Sequence, residues 1–139
     1  MKATVLLIED SRLLRTVNER ALLKAGYSVV TAGDGEEALR LARSRIPDII
    51  LLDMLLPKLG GEQVLQELKR DQQTCPVPVI VLSSLPQSNE TKLRHEGAVA
   101  YVTKSVLTSG NGQGTNAVVE IVERTLRELE REKQTANTG

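Results

Sequence analysis

Short apolar runs recur along the chain, separated by longer stretches in which apolar residues return every three or four positions. The runs at 4–8, 28–32, 48–53, 78–83 and 99–103 have strand length, and the stretches between them have helical period. That alternation predicts five β/α units. Leu14, Val17 and Ala21 share one face of the first helical stretch. The second opens on Asp34 as an N-cap with Glu37 three residues later, then sets Ala38, Leu41 and Ala42 on one side. The third runs from Gly61 through Val64, Leu65 and Leu68 to about Asp71, ahead of the breaker Cys75-Pro76-Val77-Pro78. The last, over 116–133, is expected to bury Val118, Val122, Leu126 and Leu129 and to expose Glu120, Arg124, Arg127 and Glu128.

The runs 48–53 and 78–83 are almost continuously apolar rather than alternating, the mark of parallel strands covered by helices on both faces. A doubly wound α/β fold follows, with right-handed crossovers and with its ligand side beyond the carboxyl ends of the strands. Chemistry is therefore expected at strand ends. The glycine-rich stretch 109–115 reads as a flexible connection, because it lacks the Gly-Lys-Ser/Thr ending and the spacing of a phosphate loop. Residues 134–139 read as a polar, frayed tail, leaving 1–133 as one domain.

Charge and composition narrow the reading further. Eighteen Lys and Arg balance eighteen Asp and Glu, so the electrostatic pull of a nucleic-acid binder is missing. No apolar run approaches the roughly 20 residues that span a bilayer, and Met1-Lys2 leads directly into a strand rather than a signal peptide. A cytoplasmic location is expected. The single cysteine, Cys75, allows no internal disulfide and lacks the neighbours of a metal site. The single histidine, His95, falls in a helical stretch away from the strand ends and reads as a surface residue.

Four strand ends carry reactive side chains. The first strand runs into Glu9-Asp10, the third ends on Asp53, the fourth ends on Ser83, and Lys104 follows the fifth. Taken singly, each has an ordinary reading: acidic residues after strands cap helices, a serine turns the chain, a lysine is solvated. Together they are the parts of a phosphoryl-transfer site. Crowded carboxylates repel unless a divalent cation neutralises them, and Mg2+ takes carboxylate oxygens, waters and phosphoryl oxygens. Asp53 is then the nucleophile, Lys104 a fixed cation and Ser83 a hydrogen-bond donor to the acyl phosphate.

Over positions 3–131 these residues resemble the response-regulator receiver family, of the chemotaxis-regulator type. The resemblance rests on Glu9-Asp10, the stretch Asp53-Met54-Leu55-Leu56-Pro57-Lys58-Leu59-Gly60-Gly61, the ending Val81-Leu82-Ser83-Ser84, and Gly97-Ala98-Val99-Ala100-Tyr101-Val102-Thr103-Lys104. It implies a five-stranded sheet of flavodoxin-like order 2-1-3-4-5 with five helices. It implies that Asp53 accepts a phosphoryl group from a sensor histidine kinase or a histidine phosphotransfer protein, with Mg2+ or another divalent cation such as Mn2+ as cofactor. Asp10 and Asp53 would be direct metal ligands, Glu9 would act through water, and the backbone carbonyl of Leu55 would be a further ligand. Ser83 and Tyr101 would move together as the switch, exposing a fourth-helix and fifth-strand face to a downstream protein target. Such a chain is a signalling phosphoacceptor rather than a conventional enzyme, a monomer or weak dimer that binds neither nucleic acid nor membrane.

Three departures from the family pattern stand out. Ser105 replaces the usual proline after the lysine, Glu9 replaces an aspartate, and Leu55 and Leu85 are apolar at positions flanking the site. The last feature predicts slow loss of the phosphoryl group to water. Ser105 keeps a second reading alive, an interaction module that works without phosphorylation; retention of Glu9, Asp10, Asp53, Ser83 and Lys104 opposes it. A metal-dependent phosphatase of the haloacid-dehalogenase type would need an aspartate where this chain has Leu55.

Overall fold

The computed structural model describes residues 3–54, 56, 58–83, 90–103 and 117–137. The apolar runs form β1 (Thr4–Ile8), β2 (Ser28–Ala32), β3 (Ile49–Asp53), β4 (Val79–Ser83) and β5 (Ala100–Thr103). The helices are α1 (Arg12–Lys24), α2 (Gly35–Ser44), α3 (Gly61–Arg70), α4 (Glu90–His95) and α5 (Ala117–Asn137). All strand pairs are parallel and the order is β2-β1-β3-β4-β5. The expected doubly wound α/β sheet is therefore present, with its order reversing between β1 and β3.

Every residue of β3 and β4 is buried, because the strands alternate into two cores. Ile50, Leu52, Val79 and Val81 meet Ala38 and Ala42 of α2, Val64, Leu65 and Leu68 of α3, and Leu93 of α4. Ile49, Leu51, Ile80 and Leu82 meet Leu22 of α1 and Val118, Ile121 and Val122 of α5. Each such aliphatic side chain contributes about 1.5–3 kcal/mol on burial. The sheet is held from both sides, and only its ends are left for polar work.

The start of α2 is built as expected. Asp34 accepts from the Glu37 amide at 2.9 Å, and Glu37 accepts in turn from the Gly33 amide at 3.1 Å. The Glu37 amide, helped by Lys58 and opposed by partial burial, holds the Asp34 carboxyl below its ordinary value. Its contribution to stability is thus complete above the unfolded carboxyl value and is lost as pH falls through the lower folded one.

Three details differ from expectation. In α1 the buried positions are Asn18 and Leu22, while Val17 is 48% exposed; α1 is rotated so that the 18–22 line meets the sheet. In α5 the buried stripe is Val118, Ile121, Val122 and Thr125, with Leu126 and Leu129 at its margin. That helix also continues four residues past the expected end at Lys133, to Asn137, since no glycine or proline interrupts 134–137. The stretch 109–115 lies outside the described residues.

Gly35 is where α2 meets the segment after β3. A Cβ there would collide with the Leu59 carbonyl oxygen and stand 2.7 Å from Leu59 Cβ and 2.9 Å from Val64 Cγ2. Because backbone is the obstacle, Gly35→Ala is expected to lower stability by roughly 1–3 kcal/mol. Urea unfolding measures this, and an unchanged midpoint would show that the segment around Leu59 yields freely.

Candidate functional site

β1 and β3 pair up to Ile8 and Leu52, so the same register carried one step further sets Glu9 level with Asp53. Both side chains are 1% exposed, whereas Asp10, the next residue along, is exposed. The three carboxylates each offer an oxygen, and these oxygens lie within 4.8 Å of one another. Residues 44 positions apart in the chain thus meet because adjacent parallel strands end together. Such a set of hard, negatively charged oxygens fits a divalent cation.

Local bonds fix the loop that carries the acidic pair. The Glu9 amide donates to the Ala32 carbonyl at 3.0 Å. Its carboxylate Oε2 accepts from the Ser11 amide at 3.1 Å, and its carbonyl accepts from Arg15 Nη1 at 2.9 Å. Ser11 caps α1 by accepting from the Leu14 amide at 3.3 Å. On the other side, the Met54 amide donates to the Leu82 carbonyl at 3.1 Å and the Gly61 amide to the Met54 carbonyl at 3.1 Å. The end of β3 and the first residue of α3 are therefore tied together. Lys58 adopts φ 67°, uncommon for a side-chain-bearing residue, and pairs with Asp34 at 3.5 Å.

Ser83 ends β4 and is 1% exposed. Its strand parity is that of Val81, which pairs in register with Tyr101 of β5, so Ser83 and Tyr101 share one face of the sheet. Tyr101 is buried in the same core layer as Leu93 of α4. Lys104, Leu55, Leu85 and Ser105 lie outside the described residues. His95 and Cys75 are exposed and take no part.

Sequence reasoning missed Arg15, Gly33 and Lys58. A signal for Arg15 existed: side chains in the first turn of a helix tilt back toward its N-terminus, here toward the end of β1. Nothing in the sequence marks Lys58 for positive φ.

A family model for the response regulator receiver domain matches residues 5–110. The chain belongs to that family, the receivers of two-component signalling, which take phosphate from histidine kinases and act on downstream targets. It is 44% identical over 104 residues to ycf27 of Guillardia theta, covering 74% of this chain and 40% of that one. It is 38% identical over 105 residues to the alkaline phosphatase synthesis transcriptional regulatory protein PhoP of Bacillus subtilis, covering 75% of this chain and 43% of PhoP. The chain thus spans about two fifths of the length of these relatives. The polar-differentiation response regulator DivK of Brucella ovis is 33% identical over 107 residues, 76% of this chain and 87% of DivK. Among solved structures, the Mn2+-bound form of response regulator Rcp1 superposes with a TM-score of 0.68 at 26% identity, over 75% of this chain and 82% of that one. No helix among the described residues is long and apolar enough to cross a membrane.

Carboxylates this close oppose one another when ionised, and a bound cation would relieve them. Asp10→Asn is accordingly expected to stabilise the cation-free protein at low salt, by on the order of 1 kcal/mol, and to reduce the rise in melting temperature on adding MgCl2. Thermal melts with EDTA and with MgCl2 read both effects; equal rises in wild type and variant would detach Asp10 from the cation.

Proposed function

We propose that this chain is a phosphoacceptor switch: Asp53 takes a phosphoryl group from a sensor histidine kinase or a histidine phosphotransfer protein, and the altered protein acts on a downstream target. The observation that carries this reading is the meeting of Glu9, Asp10 and Asp53 at the sheet's order reversal, within 4.8 Å. In the transfer an Asp53 carboxylate oxygen attacks phosphorus. An O–P bond forms as the P–N bond to the donor histidine breaks, and the imidazole keeps the electron pair and regains a proton from water.

Asp10 and Asp53 would hold Mg2+ or Mn2+ directly, Glu9 through water, with the Leu55 backbone carbonyl as a further ligand. The cation would supply neutralisation of charge on the transferring group, which is most of what phosphoryl transfer asks of a protein. Lys104 would pair with the phosphoryl oxygens and Ser83 would donate a hydrogen bond to them. These contacts are answered in one arrangement only, so Ser83 and Tyr101 would shift together and change the face around β5 and α4. The chain promotes its own modification without being a conventional enzyme.

Incubation with acetyl phosphate and MgCl2 is expected to add one phosphoryl group, read by intact mass. The gain should vanish with EDTA and in Asp53→Asn. No gain in protein shown to be folded would overturn this reading in favour of a module that works without phosphorylation.

A further inference from the structure

Arg15 has no place in the chemistry just described, yet its side chain ends beside the acidic loop. Its Nη1 donates to the Glu9 carbonyl at 2.9 Å, and the same atom lies 2.9 Å from where a Cβ on Gly33 would stand. Gly33 has no positive φ, so its backbone does not demand glycine; the space above it is occupied by the guanidinium. Glu9 is then gripped through its amide by Ala32, through its carboxylate by Ser11 and through its carbonyl by Arg15. The turn at 33–35 is gripped in its own right, by Glu37 on the Gly33 amide and by Lys58 on Asp34. One short turn therefore braces both loops that carry the three carboxylates.

We infer that Arg15 is a positioning residue for the cation: seated over Gly33, it holds the Glu9 backbone so that Glu9 and Asp10 stay at coordinating distance from Asp53. This rests on the acidic pocket binding a divalent cation. Charge and grip act on the cation with opposite signs. A guanidinium near the pocket repels a cation, so removing its charge alone would tighten binding. Removing its grip on Glu9 weakens binding, as loss of an outer partner of a metal ligand commonly does, by roughly 10-fold or more.

Mn2+ binding to the full chain, followed by the loss of the free ion's electron paramagnetic resonance signal, separates these effects without any phosphorylation assay. Arg15→Met removes charge and grip together; Gly33→Ala keeps the charge and displaces the guanidinium. Both are expected to raise the Mn2+ dissociation constant roughly 10-fold, with Arg15→Lys between them and wild type. Urea melts without metal establish that each variant is folded. Wild-type affinity, or tighter, in both Arg15→Met and Gly33→Ala would overturn the inference, including the case where stability alone falls. A wild-type chain that binds no Mn2+ would instead overturn the cation reading of the pocket itself.

Discussion

Asp53 is a carboxylate at the end of a strand whose every residue is buried. Placing such a charge beside a packed apolar core costs several kcal/mol unless the surroundings answer it. Almost everything at this end of the sheet follows from that constraint. The strands must end together so that polar groups gather there, the loops must be short and tied so that those groups stay in place, and the core beneath must be stiff. Two apolar layers supply the stiffness, with α2, α3 and α4 on one face and α1 and α5 on the other. Glu9 and Asp10 then add negative charge where it is already hard to hold, an arrangement that makes sense when a cation belongs with it.

Much of this was legible from the chain alone because period and strand ends are local signals. Continuous apolar runs marked β3 and β4, and the Asp34 and Glu37 pair marked the start of α2. The acidic residues were found because parallel strands must deliver their carboxyl ends to one edge, whatever their separation in sequence. Boundaries moved by a residue, as at Pro78 before β4. The shared face of Leu14, Val17 and Ala21 is not the most buried line of α1, because Leu22 lies beside it and only contact with the sheet buries Leu22 together with the polar Asn18. On α5, Ile121 and Thr125 entered the buried stripe for the same reason.

The bracing of the site was not legible. Nothing in the sequence singles out Gly33 or Gly35, yet one leaves room for Arg15 and the other for the Leu59 backbone. Both requirements arise between elements distant in sequence, and no periodicity encodes them. Lys58 is the same kind of case: its positive φ sets against backbone strain a pairing with Asp34 that only the folded loop brings within reach.

The two sides of the site are held by different physics. On the acidic side the loops are fixed by short backbone bonds and by glycines that admit no substitute without displacement. On the other side the described part of α4, Glu90–His95, offers Leu93 as its buried apolar anchor. Among the described residues Lys92 of α4 also pairs with Glu62 of α3 at 3.1 Å, and Glu96, just past the helix, accepts from Gln66 at 3.4 Å. Exposed ion pairs contribute at most about 1 kcal/mol, so the Lys92–Glu62 pair adds little to what the burial of Leu93 supplies. Under the phosphoacceptor reading proposed above, charge added at Asp53 would meet a braced wall toward β1, where Glu9 is tied to Ala32, Ser11 and Arg15.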